Sequence, residues 1–105
     1  MNQWIIFIAI DALFVALCIP LIRREVPINS LYGFRLPVAM KSEEVWYRVN
    51  SFGGKVMAVT SCLSVLGLIA LRVTGQNDPL LYLSLFVLPI VFTVVATLVY
   101  ANRQA

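Results

Sequence analysis

The chain has 105 residues, 61% of them hydrophobic and only 12% charged, with a mean hydropathy of +0.91. A water-soluble domain of this size is about half apolar and a quarter charged, and so short a chain has too little interior to hide the surplus; a soluble globular fold is excluded in favour of lipid. Eight Lys and Arg against five Asp and Glu give a net charge of +3, but these residues flank apolar runs and form no basic tract, so anionic headgroups are the expected partner and nucleic acid is not.

Residues 4–22 (WIIFIAIDALFVALCIPLI) are 19 residues with one charge, about 28 Å as a helix, which predicts a first membrane span. Arg23 and Arg24 follow the apolar run and nothing basic precedes it, the reverse of a secretory leader, so the segment is expected to be retained. Asp11 near mid-span costs about 3 kcal/mol on insertion scales. The twelve Ile, Leu, Val and Phe residues of the segment each return roughly 0.3 to 0.6 kcal/mol, so insertion still wins. Asp11 reads either as a proton or cation site or as a protonated or hydrogen-bonded acid that pairs with Ser or Thr of the second span.

Residues 23–42 are a polar loop, and residues 43–52 are expected as an amphipathic helix in the plane of the interface. Pro27 and Pro37 bracket an ordered turn in which Asn29 and Ser30 form a side-chain turn and Gly33 supplies a positive φ between Tyr32 and Phe34. The planar fork of Arg35 matches either a carboxylate or a phosphate; the acids that open the next helix favour an internal Arg35–Glu43 ion pair. Ser42 caps that helix and Glu43 and Glu44 complement its dipole. At 100° per residue it has an apolar stripe (Val45, Val49, Phe52, Val56) and a charged one (Glu44, Arg48, Ser51, Lys55). A third face carries Glu43, Trp46, Tyr47, Asn50 and Gly54, more than an interfacial helix needs, and predicts a specific contact with the loop or with a ligand.

The second span, 54–74, is rich in small and hydroxylated residues, with Ser61 and Ser64 among them. Thr60, Ser64, Gly67 and Leu71 share a stripe suited to close helix packing, which predicts the central helix of the bundle. After a GQNDP turn with Asp78 as cap, the third span covers 80–101, about 33 Å. Pro89 frees the carbonyl of Leu85, and Pro89, Thr93, Thr97 and Tyr100 are expected to face the other helices. Seven basic residues lie on the side of the 23–55 segment and the C-terminus and only Arg72 on the other, which predicts a cytoplasmic loop and an outward N-terminus. The whole is one all-α membrane domain over 1–105.

Two ordered motifs, PxNxxYGFR from Pro27 to Arg35 and SEEVWxxxNxxGG from Ser42 to Gly54, resemble the core of the SdpI/YfhL family of small bacterial membrane proteins. Leu36 departs from the Thr found there in many members. The family is named for a peptide-toxin immunity protein that, with a repressor partner, also signals the presence of toxin. The resemblance implies a multi-pass protein of the bacterial cytoplasmic membrane that binds a membrane-active peptide or a regulatory protein. Its binding residues would be Asn29, Tyr32, Gly33, Phe34, Arg35, Glu43, Trp46, Tyr47, Asn50 and Gly54. A second reading is a transporter or channel subunit; three helices are too few to enclose a path, so it requires a homo-oligomer with Asp11, Ser61, Ser64 and Thr93 as its intramembrane polar groups. An enzyme acting on lipid is the third. Without His, a nucleophile motif, a phosphate loop or a metal cluster, neither catalysis nor a cofactor is expected, and Cys18 and Cys62 read as small packed thiols.

Overall fold

The computed structural model describes residues 3–29 and 32–104, and it is all-helical among them. Helix α1 spans Gln3–Ile22, α2 Glu43–Val73 and α3 Pro79–Arg103, with a 3-10 turn at Ala39–Lys41. Each long helix is long and apolar enough to cross a membrane. The exterior agrees: Val59, Leu63, Leu66, Leu88 and Phe92 are all exposed, an apolar surface far beyond what a water-soluble monomer carries.

The expected interfacial helix is not separate. Residues 43–52 are the first turns of α2, which runs unbroken through Gly53 and Gly54 for 31 residues, about 46 Å against a hydrocarbon core of about 30 Å. Two glycines disfavour helix by about 1 kcal/mol each, but here their missing side chains admit neighbours. A Cβ on Gly53 would lie 2.7 Å from the Phe34 ring, and one on Gly54 would lie 3.1 Å from Ile22 Cγ1 and 3.3 Å from the Cys18 carbonyl. The helix therefore stays intact where the loop and α1 press against it.

The helix ends follow from local chemistry. The Ser42 hydroxyl accepts the N–H of Val45 at 3.2 Å, with Glu43 and Glu44 in the first turn. Gly75, at φ +80°, closes α2: its N–H reaches the Arg72 carbonyl at 3.2 Å and that of Gln76 the Leu71 carbonyl at 3.0 Å. The same closure ends α1, with Arg24 at φ 59° in the left-handed position and Glu25 N–H on the Pro20 carbonyl at 2.9 Å. Asp78 caps α3 through the N–H of Leu80 at 3.0 Å, and Pro79 opens it.

The central helix is α2, which packs along both others, while α1 and α3 meet little beyond the Phe7–Phe86 stack at 4.5 Å. Its small-residue stripe faces α3. Thr60 and Thr93 hydroxyls lie 3.0 Å apart, Ser64 Oγ donates to the Leu85 carbonyl at 3.0 Å, and a Cβ on Gly67 would lie 3.2 Å from Leu85. Pro89 has no N–H to give that carbonyl, so Ser64 supplies the missing donor. The loop, the start of α2 and the end of α3 gather at one pole.

Candidate functional site: a loop clasped onto the start of α2

The loop is held by side chains that satisfy backbone groups no helix or strand serves. Asn29 Nδ2 donates to the carbonyls of Pro27 at 2.8 Å and Tyr32 at 3.0 Å, and its Oδ1 accepts the Tyr32 N–H at 2.6 Å. Ser30, expected beside it in the turn, lies outside the described residues. The Tyr32 hydroxyl donates to the Leu17 carbonyl of α1. Burial first, and the neighbouring Cys18 second, push the Tyr32 phenol above its ordinary value.

From α2, Trp46 and Asn50 reach up into this loop. Trp46 is 0% exposed, and its Nε1–H donates to the Val26 carbonyl at 2.8 Å. Asn50 Oδ1 accepts the Phe34 N–H at 2.5 Å, while its Nδ2 donates to the Trp46 carbonyl at 3.0 Å. Between them sits Gly33 at φ +110°, where a Cβ would lie 2.7 Å from Asn50 Oδ1 and 3.1 Å from the indole ring. Only glycine suits that position, on conformation and on space together.

The rest of the pole locks α2 to its two neighbours. Ser51 Oγ donates to the Ile22 carbonyl at 3.1 Å, one of the groups that the end of α1 leaves open. Phe52 stacks on Tyr100 of α3 at 4.1 Å and 8°, and Arg48 pairs with Glu44 and donates to Gln104 Oε1 at 2.6 Å. Trp46, Val49, Ala39 and Ala101 form a buried cluster against which Tyr47, Leu36 and Val38 pack.

Residues 25–101, covering the loop, α2 and almost all of α3, match the model of the SdpI/YfhL protein family. The chain belongs to that family. As the SdpI/YfhL match begins after α1, Asp11 lies outside it. Neither a curated protein nor a solved structure matches the chain.

In this SdpI/YfhL member the third face of the 43–54 helix divides. Trp46 and Asn50 are spent on the loop and Gly54 on α1; Tyr47 is half-buried in the cluster and Glu43 is exposed. Arg35 is exposed as well, and the Arg35–Glu43 pair expected from the sequence does not form; the ion pair among the described residues is Arg48–Glu44. The acid one position further on meets its partner within its own helix, at i, i+4, without ordering a loop side chain.

What the loop leaves open is a groove of about 460 Å³. Tyr32, Gly33 and Phe34 form one wall, Phe14, Leu17, Cys18 and Leu21 of α1 the other, with Met57 of α2 between. The α1 residues carry no polar signature and the sequence reading missed them, although Cys18 and Asp11, seven positions apart, already marked one face of that helix. In mid-membrane, Asp11 and Ser64 meet at the α1–α2 contact, Ser61 is buried on α2, and Thr93 also donates to the Pro89 carbonyl at 2.9 Å. No group of three or more potential metal ligands occurs among the described residues.

Proposed function

We propose that the protein is a membrane immunity or signalling protein that acts by binding, with no catalytic step, and that its ligand is a membrane-active peptide whose apolar segment enters the groove beside Tyr32, Gly33 and Phe34. The observation that carries this reading is that Tyr32, Gly33 and Phe34, which lie within the family stretch, are also one wall of an open, mostly apolar groove at the pole where the loop sits. A peptide already dissolved in lipid would enter it sideways from the bilayer, meeting Phe14, Leu17 and Leu21 as readily as it meets acyl chains. Trp46 and Asn50 act behind the wall: they hold the loop in place and so preset the groove. A bound segment would press on the Tyr32 side, and the clasp would carry that displacement to the ends of α2 and α3, where a regulatory protein reads it.

The excess of basic residues at the clasp and the C-terminus supports an orientation with both on the cytoplasmic side of a bacterial cytoplasmic membrane and the N-terminus outside. Arg23, Arg24, Arg35, Lys41 and Lys55, all exposed, then lie against anionic headgroups. The test is bacterial survival in the presence of a panel of membrane-active peptides, with the native protein and with Leu17→Trp and Met57→Trp variants that fill the groove. Native protein should protect against at least one peptide, and equally abundant, membrane-inserted groove-filled variants should not. Protection by the native protein that is undiminished in both variants would remove the groove from the mechanism.

A further inference from the structure

Asp11 is 1% exposed, and one of its oxygens, Oδ2, is buried with no hydrogen-bond partner. The Ser64 side chain of α2 lies within hydrogen-bonding reach of Asp11. Ser64 has a single hydroxyl hydrogen and gives it to the Leu85 carbonyl at 3.0 Å. A hydroxyl that has given its hydrogen away can only accept. While Ser64 serves Leu85 in this way, a hydrogen shared between Asp11 and Ser64 has to be carried by Asp11, as it is in the neutral acid and not in the carboxylate.

The surroundings agree with a neutral acid. On α2 no charged residue lies between Lys55 and Arg72, roughly 13 Å and 12 Å along the axis from Ser64. The Arg72 guanidinium sits over the Trp4 ring, 5.8 Å from its centroid. On α3 no charged residue lies between Asp78 and Arg103, and Tyr82 donates to the Gln76 carbonyl. Tyr100 of α3 stacks on Phe52 at the clasp, and two thiols lie on the spans as well: Cys18, buried two turns along α1, and Cys62, exposed beside Ala12 and Val15. A carboxylate here would be a buried charge without a counter-ion. A hard cation takes about six or more oxygens, more than Asp11, Ser64 and the Leu85 carbonyl supply.

We propose that Asp11, Ser64 and the Leu85 carbonyl form a proton-binding site within the membrane. With the proton bound, Asp11 O–H donates to Ser64 Oγ and Ser64 donates to Leu85. When the proton leaves, its bonding electrons stay as the carboxylate charge, the Ser64 hydroxyl turns to Asp11, and the Leu85 carbonyl loses the donor that replaced the missing N–H of Pro89. Proton occupancy on α1 is thereby coupled to the α2–α3 contact.

The experiment is infrared spectroscopy of the protein in phosphatidylcholine vesicles at neutral pH, in sodium and in sodium-free buffer. The native protein should show the carbonyl stretch of a protonated carboxyl group. That band should vanish in Asp11→Asn, move to higher frequency in Ser64→Ala, and be unaffected by sodium. Its absence from the native protein, its survival in Asp11→Asn, or its appearance only when sodium is withdrawn overturns the proposal, the last by assigning a cation site instead. Should Asp11→Asn fail to insert, Ser64→Ala decides alone: an unmoved band overturns the assignment.

Discussion

Asn50 accepts the backbone N–H of Phe34 from sixteen positions away, and with its other end it holds the carbonyl of Trp46 one turn earlier on its own helix. One amide thus ties the loop to α2 using both its acceptor and its donor. Asn50→Ala leaves a partly buried N–H unanswered and should cost about 1 to 3 kcal/mol. Asn50→Asp keeps the acceptor, and at acid pH, where its buried side chain is neutral, it should cost less. Thermal unfolding in detergent at that pH, with protease sensitivity of the loop as the local readout, ranks the two; equal losses would contradict the role given to the Phe34 bond.

Gly33 and Gly75 both have positive φ, but only Gly33 has a crowded Cβ position, since nothing lies within 4 Å of the one on Gly75. Gly75→Ala should cost only the left-handed backbone penalty, about 1 to 2 kcal/mol. Gly33→Ala adds to strain the displacement of Asn50 and Trp46, so it should destabilise clearly more and expose the loop to protease. A smaller effect at Gly33 than at Gly75 would mean that the loop yields without disturbing α2.

Arg35 is the one strongly charged residue of the YGFR motif, yet it stands exposed and apart from Glu43. Arg35→Ala should therefore change stability by no more than about 0.5 kcal/mol, the ordinary range for a surface site. The measurement is the detergent melting curve at low and high salt. A salt-dependent loss would show that Arg35 has found a carboxylate after all.

Tyr32 gives the clasp a pH limit. Its phenol is shifted upward, chiefly by burial, and its hydroxyl is the donor to the Leu17 carbonyl. A group whose folded-state value is raised adds stability that is complete below its unfolded value and is lost as pH rises through the folded one. The Tyr32 contribution is therefore intact at neutral pH and disappears only above the ordinary phenol range, where the phenolate can no longer donate. Alkaline titration followed by loop proteolysis should show this loosening in the native protein. Tyr32→Phe, which lacks the donor at every pH, should lack that step.

The spans were legible because runs such as residues 4–22 have no other physical reading, and the Asp78–Pro79 start of α3 because cap and proline act locally. The continuity of α2 was not. Gly53 and Gly54 carry a propensity penalty visible in sequence, whereas the Phe34 ring and the end of α1 that reward them come from 19 or more residues earlier in the chain. A helical wheel likewise set Trp46 and Asn50 on one face of the helix but could not say that the occupant of that face is the protein's own loop. Ser64 lies between these cases: its stripe was readable and so was the carbonyl freed by Pro89, but the pairing of the two needed the register of α2 on α3.

That pairing supports the last prediction. If Ser64 serves the Leu85 carbonyl only because Pro89 cannot, then restoring the N–H should make Ser64 redundant there. Ser64→Ala alone should cost roughly 0.6 kcal/mol, and at most about 1.7, the range for hydrogen bonds between membrane helices. In a Pro89→Ala background, where the backbone regains an N–H that can close the helical bond to Leu85, the same change should cost less. The double-mutant cycle, read by unfolding in detergent, isolates the coupling. Strictly additive effects would mean that Ser64 and Pro89 act independently, and that the carbonyl freed by Pro89 is not what Ser64 serves.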